Sequence, residues 1–144
     1  MSIFEPSPSP WTGRMLSILR IVAGIMFLSA GTMKLFGYPP PPPGPPMPPI
    51  TLLSQLGMAG LLETVGGLAI VLGLFTRPVA FVLAGEMAVA YFQFHFPQAF
   101  FPTTNMGLPA VLYCFLYLYL MFAGAGPWSL DAVLARARRE RAFA

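Results

Sequence analysis

Residues 50–78 read ITLLSQLGMAGLLETVGGLAIVLGLFTRP. Between 50 and 75 there is one ionisable side chain, Glu63. A run of that length and apolarity is long enough to cross about 30 Å of hydrocarbon as a helix. Thr76-Arg77-Pro78 then breaks the run, with a proline suited to the opening turn of a helix. A second apolar run, 79–96, follows at once and stops at Pro97. Two long apolar helices joined by so short a turn make an antiparallel hairpin. Working outward, a further apolar run covers 15–36, and another covers 107–124 before the stop signal Gly124-Ala125-Gly126-Pro127. The expected fold is all-α: a four-transmembrane-helix bundle, up-down-up-down, with spans near 15–36, 50–75, 79–96 and 107–124.

Composition agrees with lipid as the solvent. The chain has 144 residues, 56% hydrophobic and only 9% charged, with a mean hydropathy of +0.70. A soluble domain carries about a quarter charged residues to keep its surface wet. The first run resembles a signal peptide at its start, with Arg14 and Arg20 ahead of small residues. It is long for a cleaved segment, and three more runs follow it, so it is read as a retained span. The single cysteine, Cys114, lies inside a run and is silent about redox compartment.

Four spans put both termini and the 76–78 turn on one side of the bilayer. That side collects Arg14, Arg20, Arg77, Arg136, Arg138, Arg139 and Arg141, and the other keeps Lys34 alone. Basic residues concentrate on the cytoplasmic side, so both termini are expected there. The net charge of +3 therefore belongs to the membrane surface, and no nucleic-acid partner is expected. The domain division expected is a flexible tail over 1–13, a membrane domain over 14–127 and a basic cytoplasmic tail over 128–144. Within the last, Leu130, Val133, Leu134 and Ala137 recur at helical spacing among arginines, which predicts a short amphipathic helix, capped by Ser129, on the anionic leaflet. On the outer side, the proline run in 37–49 favours an extended polyproline strap, either a plain connection or a docking surface for an extracytoplasmic partner.

Ionisable groups at membrane depth each need an account. Glu63 and Glu86 lie at similar depths on adjacent antiparallel spans. Gly60, Glu63 and Gly67 share one helix face, and small residues there allow close helix packing. Glu86, Ala90 and Gln93 form a matching stripe, and Tyr113 and Tyr117 on the fourth span need hydroxyl partners that the carboxylates would supply. The candidate buried polar or proton site is thus Glu63, Glu86, Gln93 and Tyr113. A candidate outer-face site is Lys34, His95 and Asn105. Glu86 and His95, nine residues apart, point to opposite faces of an ideal helix. The two carboxylates serve either as hydrogen-bonded glue or as a site for protons or a quinone headgroup. Haem and metal are disfavoured, because His95 has no second histidine to pair with. No nucleophile triad, phosphate loop or dinucleotide fingerprint is present, so no catalytic residue is assigned.

Gly31-Thr32-Met33-Lys34-Leu35-Phe36-Gly37, Gly60 to Gly67, and Gly73-Leu74-Phe75-Thr76-Arg77-Pro78 are joined by Gly85-Glu86-Met87-Ala88-Val89-Ala90-Tyr91-Phe92, His95-Phe96-Pro97, Leu112-Tyr113-Cys114-Phe115 and Gly126-Pro127-Trp128-Ser129-Leu130-Asp131. Together they resemble the DoxX family of small bacterial membrane proteins over residues 14–134. The resemblance implies a four-helix membrane bundle in the inner membrane of a bacterium. It also implies an association with membrane oxidoreductase systems such as thiosulfate:quinone oxidoreductase. Where relatives read Asn-Gly-Gly-Glu, this chain has Asn105-Met106-Gly107-Leu108 and lacks the acid. Three functions are carried forward. The first is an accessory or membrane-anchoring subunit of a quinone-linked redox complex. The others are a small proton-coupled transporter-like module and a purely structural assembly subunit. Other membrane or extracytoplasmic subunits, or further copies of the chain, are the expected protein partners.

Overall fold

The computed structural model describes residue 9, residues 11–44 and residues 50–142. The rest of the tail expected over 1–13, and residues 45–49 of the proline run, lie outside the described residues. The described chain is all-helical: α1 (Trp11–Phe36), α2 (Gln55–Leu72), α3 (Thr76–Ala90), a π-helical turn (Tyr91–His95), α4 (Leu108–Ala123) and α5 (Leu130–Ala142). There is no strand among the described residues.

Two boundaries move for identifiable reasons. α1 begins at Trp11 rather than near 15: the last proline of the tail is Pro10, and Gly13 is carried within the helix. α2 begins at Gln55 rather than 50: Ser54 caps it, its Oγ accepting from the Gly57 N–H at 3.1 Å. The apolar residues before it form a turn, and Leu53 there is 93% exposed. At its far end α2 closes on Gly73, whose φ of 65° is open to glycine at little cost. The Leu74 N–H then reaches the Ala69 carbonyl at 2.9 Å, and the Gly73 N–H reaches Ile70 at 3.1 Å.

α1 and α2 pack most extensively, and the cause is four glycines at heptad spacing. Gly24 meets Gly67, and Gly31 meets Gly60. A Cβ on Gly67 would stand 2.6 Å from the Leu28 nitrogen, and one on Gly31 would stand 2.5 Å from the Thr64 nitrogen. Backbones this close gain dispersion contacts along their whole length. Gly60 and Gly67 stand out in the sequence with Glu63 between them; Gly24 and Gly31 on α1 complete the seam.

α3 and α4 form the second pair. The two pairs join through Phe27, Ile70, Ala80, Leu83, Tyr117 and Leu120, all buried. Most of these lie toward the α2–α3 turn, so the bundle is tight at that end. At the other end the pairs part.

The tight end is locked by Arg20, which is fully buried. Its Nε donates to the Ala125 carbonyl at 2.8 Å, one terminal nitrogen donates to Ile70 and to Val71 (2.6 Å), and the other donates to Trp128 at 2.5 Å. Arg20, counted with the other arginines of the side that holds the termini, is thus spent inside the fold and not at the membrane surface. It satisfies the last carbonyls of α2, where the helix dipole favours a cation. Asp131 completes the lock: its two carboxylate oxygens accept from the Phe75 and Thr76 N–H groups, each at 2.9 Å. The Asp131 N–H in turn donates to the Gly73 carbonyl at 2.9 Å. The segments 73–78 and 126–131 thus meet in one latch that holds α5 against the bundle.

Polarity is inverted relative to a water-soluble fold. Arg20, Ser17, Thr76 and Asn105 are buried, whereas Phe115 and Phe122 of α4 are 68% and 74% exposed. Large aromatic side chains displayed outward over buried polar groups suit a lipid surround. α1 and α2 are each long and apolar enough to cross a membrane. α4 is apolar over 16 residues, and α3 runs on through the π turn as one rod of 15 and 5 residues.

Candidate functional site

Where the helix pairs part, a cavity of about 710 Å³ opens between α1, α2, α3 and α4. This lies within the range of small-molecule sites, about 300–1,000 Å³. Its walls are mainly apolar. Met26, Met58 and Phe94 on its rim are 54%, 46% and 54% exposed, so it opens sideways through the apolar surface.

Seven polar side chains line it: Ser29, Lys34, Gln55, Glu63, Glu86, His95 and Tyr113. Lys34 Nζ forms an ion pair with Glu63 Oε2. Glu63 is the ninth of the 18 residues of α2, midway along it, while Lys34 near the end of α1 packs beside Gly60, one turn away, and its long side chain covers that turn. Lys34 thus pairs with Glu63, and it lines the same cavity as His95. Glu86 faces the same cavity from α3, and neither of its carboxylate oxygens has a hydrogen-bond partner among the described residues. Such a group is costly in an apolar surround unless something meets it.

His95 also lines the cavity, which an ideal helix would not permit. The Phe96 N–H reaches back five residues to the Tyr91 carbonyl at 2.9 Å. This wider turn sets the residues beyond it back by roughly 100°, so Glu86 and His95 no longer oppose each other. The expected opposition fails because the helix is not uniform. Asn105 holds the ring: its carbonyl lies 3.0 Å from His95 Nδ1. Asn105 is itself fixed, donating to the Ala99 carbonyl at 2.8 Å and accepting from the Gly107 N–H at 2.8 Å.

Tyr113 lines the cavity, but neither tyrosine turns to a carboxylate. Tyr113 donates to Met26 Sδ at 3.2 Å, and Tyr117 to the Ala23 carbonyl at 3.4 Å. Gln93 stands apart from Glu86. It is exposed, one helical face away, and pairs with Gln55 of α2. Gln55, Met26 and Met58 were not singled out in the sequence. Nothing local marks them, since their role follows from which helices part.

Two curated relatives match most of the chain. A protein of Haemophilus influenzae, named only as uncharacterized, is 42% identical over 81% of this chain and 87% of its own length. The inner membrane protein YqjF of Escherichia coli is 31% identical over 81% of this chain and 89% of its own. No solved structure matches the chain. The DoxX family profile matches residues 15–96, a segment holding the Gly60–Gly67 face, the Lys34–Glu63 pair, Glu86 and the π turn. With more than half of its length matched, this membrane protein belongs to the DoxX family.

Proposed function

We propose that the chain is a four-span inner-membrane protein with cytoplasmic termini, serving as an accessory or anchoring subunit of a quinone-linked redox complex. In this reading residues 14–127 form the membrane domain and 128–144 a basic cytoplasmic tail. The cavity holds a quinone-type headgroup. Four apolar rods support the topology: at 1.5 Å per residue the shortest, α4, spans about 24 Å and the α3–π rod about 30 Å. The arginines gather at the latch end and on α5, which supports the orientation. The inner-membrane relative supports the location.

One observation carries the ligand reading: Glu86 presents an unpartnered carboxyl group to an apolar cavity that opens toward lipid. A lipid-soluble ring with polar substituents supplies both the apolar fill and the missing hydrogen bond. The test is purification from membranes in mild detergent, with mass spectrometry of bound lipids and co-purifying chains. Wild type is expected to carry a quinone and a redox protein near stoichiometry, and Glu86→Leu to lose the quinone. Recovery of wild type with neither refutes the proposal.

The transporter-like reading has its own support in the Lys34–Glu63 pair beside Glu86, groups able to exchange a proton within one cavity. Proton flux in proteoliposomes that Glu86→Gln abolishes would favour it. A purely structural subunit would tolerate both Glu86 variants and fail to assemble when the α1–α2 glycines are changed.

A further inference from the structure

We propose that water and protons reach the cavity from one face of the membrane only, the outer face opposite the chain's termini. A ligand bound there would exchange its protons with the outer compartment. This rests on the four-span, quinone-type reading above and adds the side of the membrane that the site serves.

The placement follows from where each helix contributes. Gln55 opens α2, His95 closes the rod of α3 and the π turn, and Lys34 lies two residues from the end of α1. These three mark the outer rim. Tyr113 lies five residues into α4, about 8 Å deep at 1.5 Å per residue. Glu63 is eight residues beyond Gln55, about 12 Å deep, and Glu86 nine residues back from His95, about 13 Å deep. The polar lining thus runs from the outer ends to the middle of a hydrocarbon layer about 30 Å thick, and stops there.

The two directions out of the cavity differ. Outward, Gln55 is exposed and the Lys34 side chain keeps 21% of its surface open. An ion pair such as Lys34–Glu63 costs least where water reaches one of its members. Inward, Phe27, Ile70, Leu83, Tyr117 and Leu120 form the floor, none more than 3% exposed. Tyr117 spends its hydroxyl on the Ala23 carbonyl. Beneath them the Arg20 guanidinium is bonded to four carbonyls, and the segments 73–78 and 126–131 close the end. A core packed this closely has no room for a file of water. A lipid-soluble ring therefore enters from the side, while its protons come and go at the outer face.

The test is thiol labelling in a Cys114→Ala background, with Ala59→Cys and Ser29→Cys on the cavity walls and Ala142→Cys on α5. A charged, membrane-impermeant methanethiosulfonate reacts with the thiolate, which forms only where water reaches the sulfur. It is applied to spheroplasts and to inverted vesicles of an expressing bacterium. Both cavity cysteines are expected to react at least about tenfold faster on the face where Ala142→Cys stays unreactive. Decylubiquinone, whose ring is fully substituted and does not add thiols, should slow both reactions. Labelling on that face without such protection removes the quinone-type reading and leaves the sidedness standing. Labelling on the Ala142→Cys face, or at equal rates on both faces, overturns the inference. Silence of both cavity cysteines toward the charged reagent also overturns it, and reaction with neutral N-ethylmaleimide would then mean an opening to lipid alone.

Discussion

Replacing Arg20 by methionine tests the latch. The guanidinium serves four backbone carbonyls, those of Ile70, Val71, Ala125 and Trp128, from a fully buried position. A hydrogen bond to a charged group nets about 1.5–3 kcal/mol, so a simple sum reaches about 6–12. That sum overcounts, because the four bonds share one charge and one desolvation cost. Removing one side of a buried charged contact costs about 3–5 kcal/mol, and this is the loss expected for Arg20→Met. It is a large part of a typical stability of about 5–15 kcal/mol. Arg20→Lys keeps the charge but cannot span the same fork, and should lose about half as much. The assay is reversible unfolding in mixed micelles with rising dodecyl sulfate, followed by tryptophan fluorescence. Trp128 lies within the latch and is one of only two tryptophans. A loss below about 1 kcal/mol for Arg20→Met, the level of an exposed ion pair, would refute the latch as a source of stability.

Three further outcomes follow from the packing. Gly31→Leu should prevent α1 from seating on α2 and abolish recovery of folded protein, whereas Gly85→Ala, with nothing within 4 Å of the new methyl, should be neutral or gain up to about 1 kcal/mol; size-exclusion profiles in detergent separate the two. Asp131→Ala removes the cap on α3 and the tie to α5, with a cost of about 1–2 kcal/mol and faster tryptic cleavage at Arg136 and Arg138. Lys34→Met leaves Glu63 buried without its partner and should cost about 3–5 kcal/mol; adding Glu63→Gln should restore part of that loss in the same unfolding assay.

The helical rods were legible because apolar length alone marks them, and the Gly60–Glu63–Gly67 face because a 3.6-residue period aligns it. Three things escaped that logic. Arg20 looked like one more surface arginine, since its carbonyl partners lie as far as 108 residues away in sequence and carry no side-chain signal. Lys34 near the end of α1 and Glu63 midway along α2 looked unrelated, because the apolar runs do not show that Lys34 packs beside Gly60, one turn from Glu63. His95 appeared to oppose Glu86, because a uniform helical period has no term for an i→i+5 turn. The cavity opens where the α1–α2 and α3–α4 pairs part, at the end away from the Arg20 latch.

The π turn also changes how related sequences are to be aligned. A residue gained or lost in an α-helix turns every side chain beyond it by about 100°. Within 91–95 the loss of one would cancel a turn that is already there. Removing one residue there would restore the α-helical pitch and swing the imidazole out of the cavity, with every other side chain of α3 left in place. A relative that keeps a histidine after the equivalent of Ala90, but at a spacing one residue shorter, would have the same composition and a different ligand chemistry. The length of that short segment, more than the identity of its residues, marks which members of the family share this site.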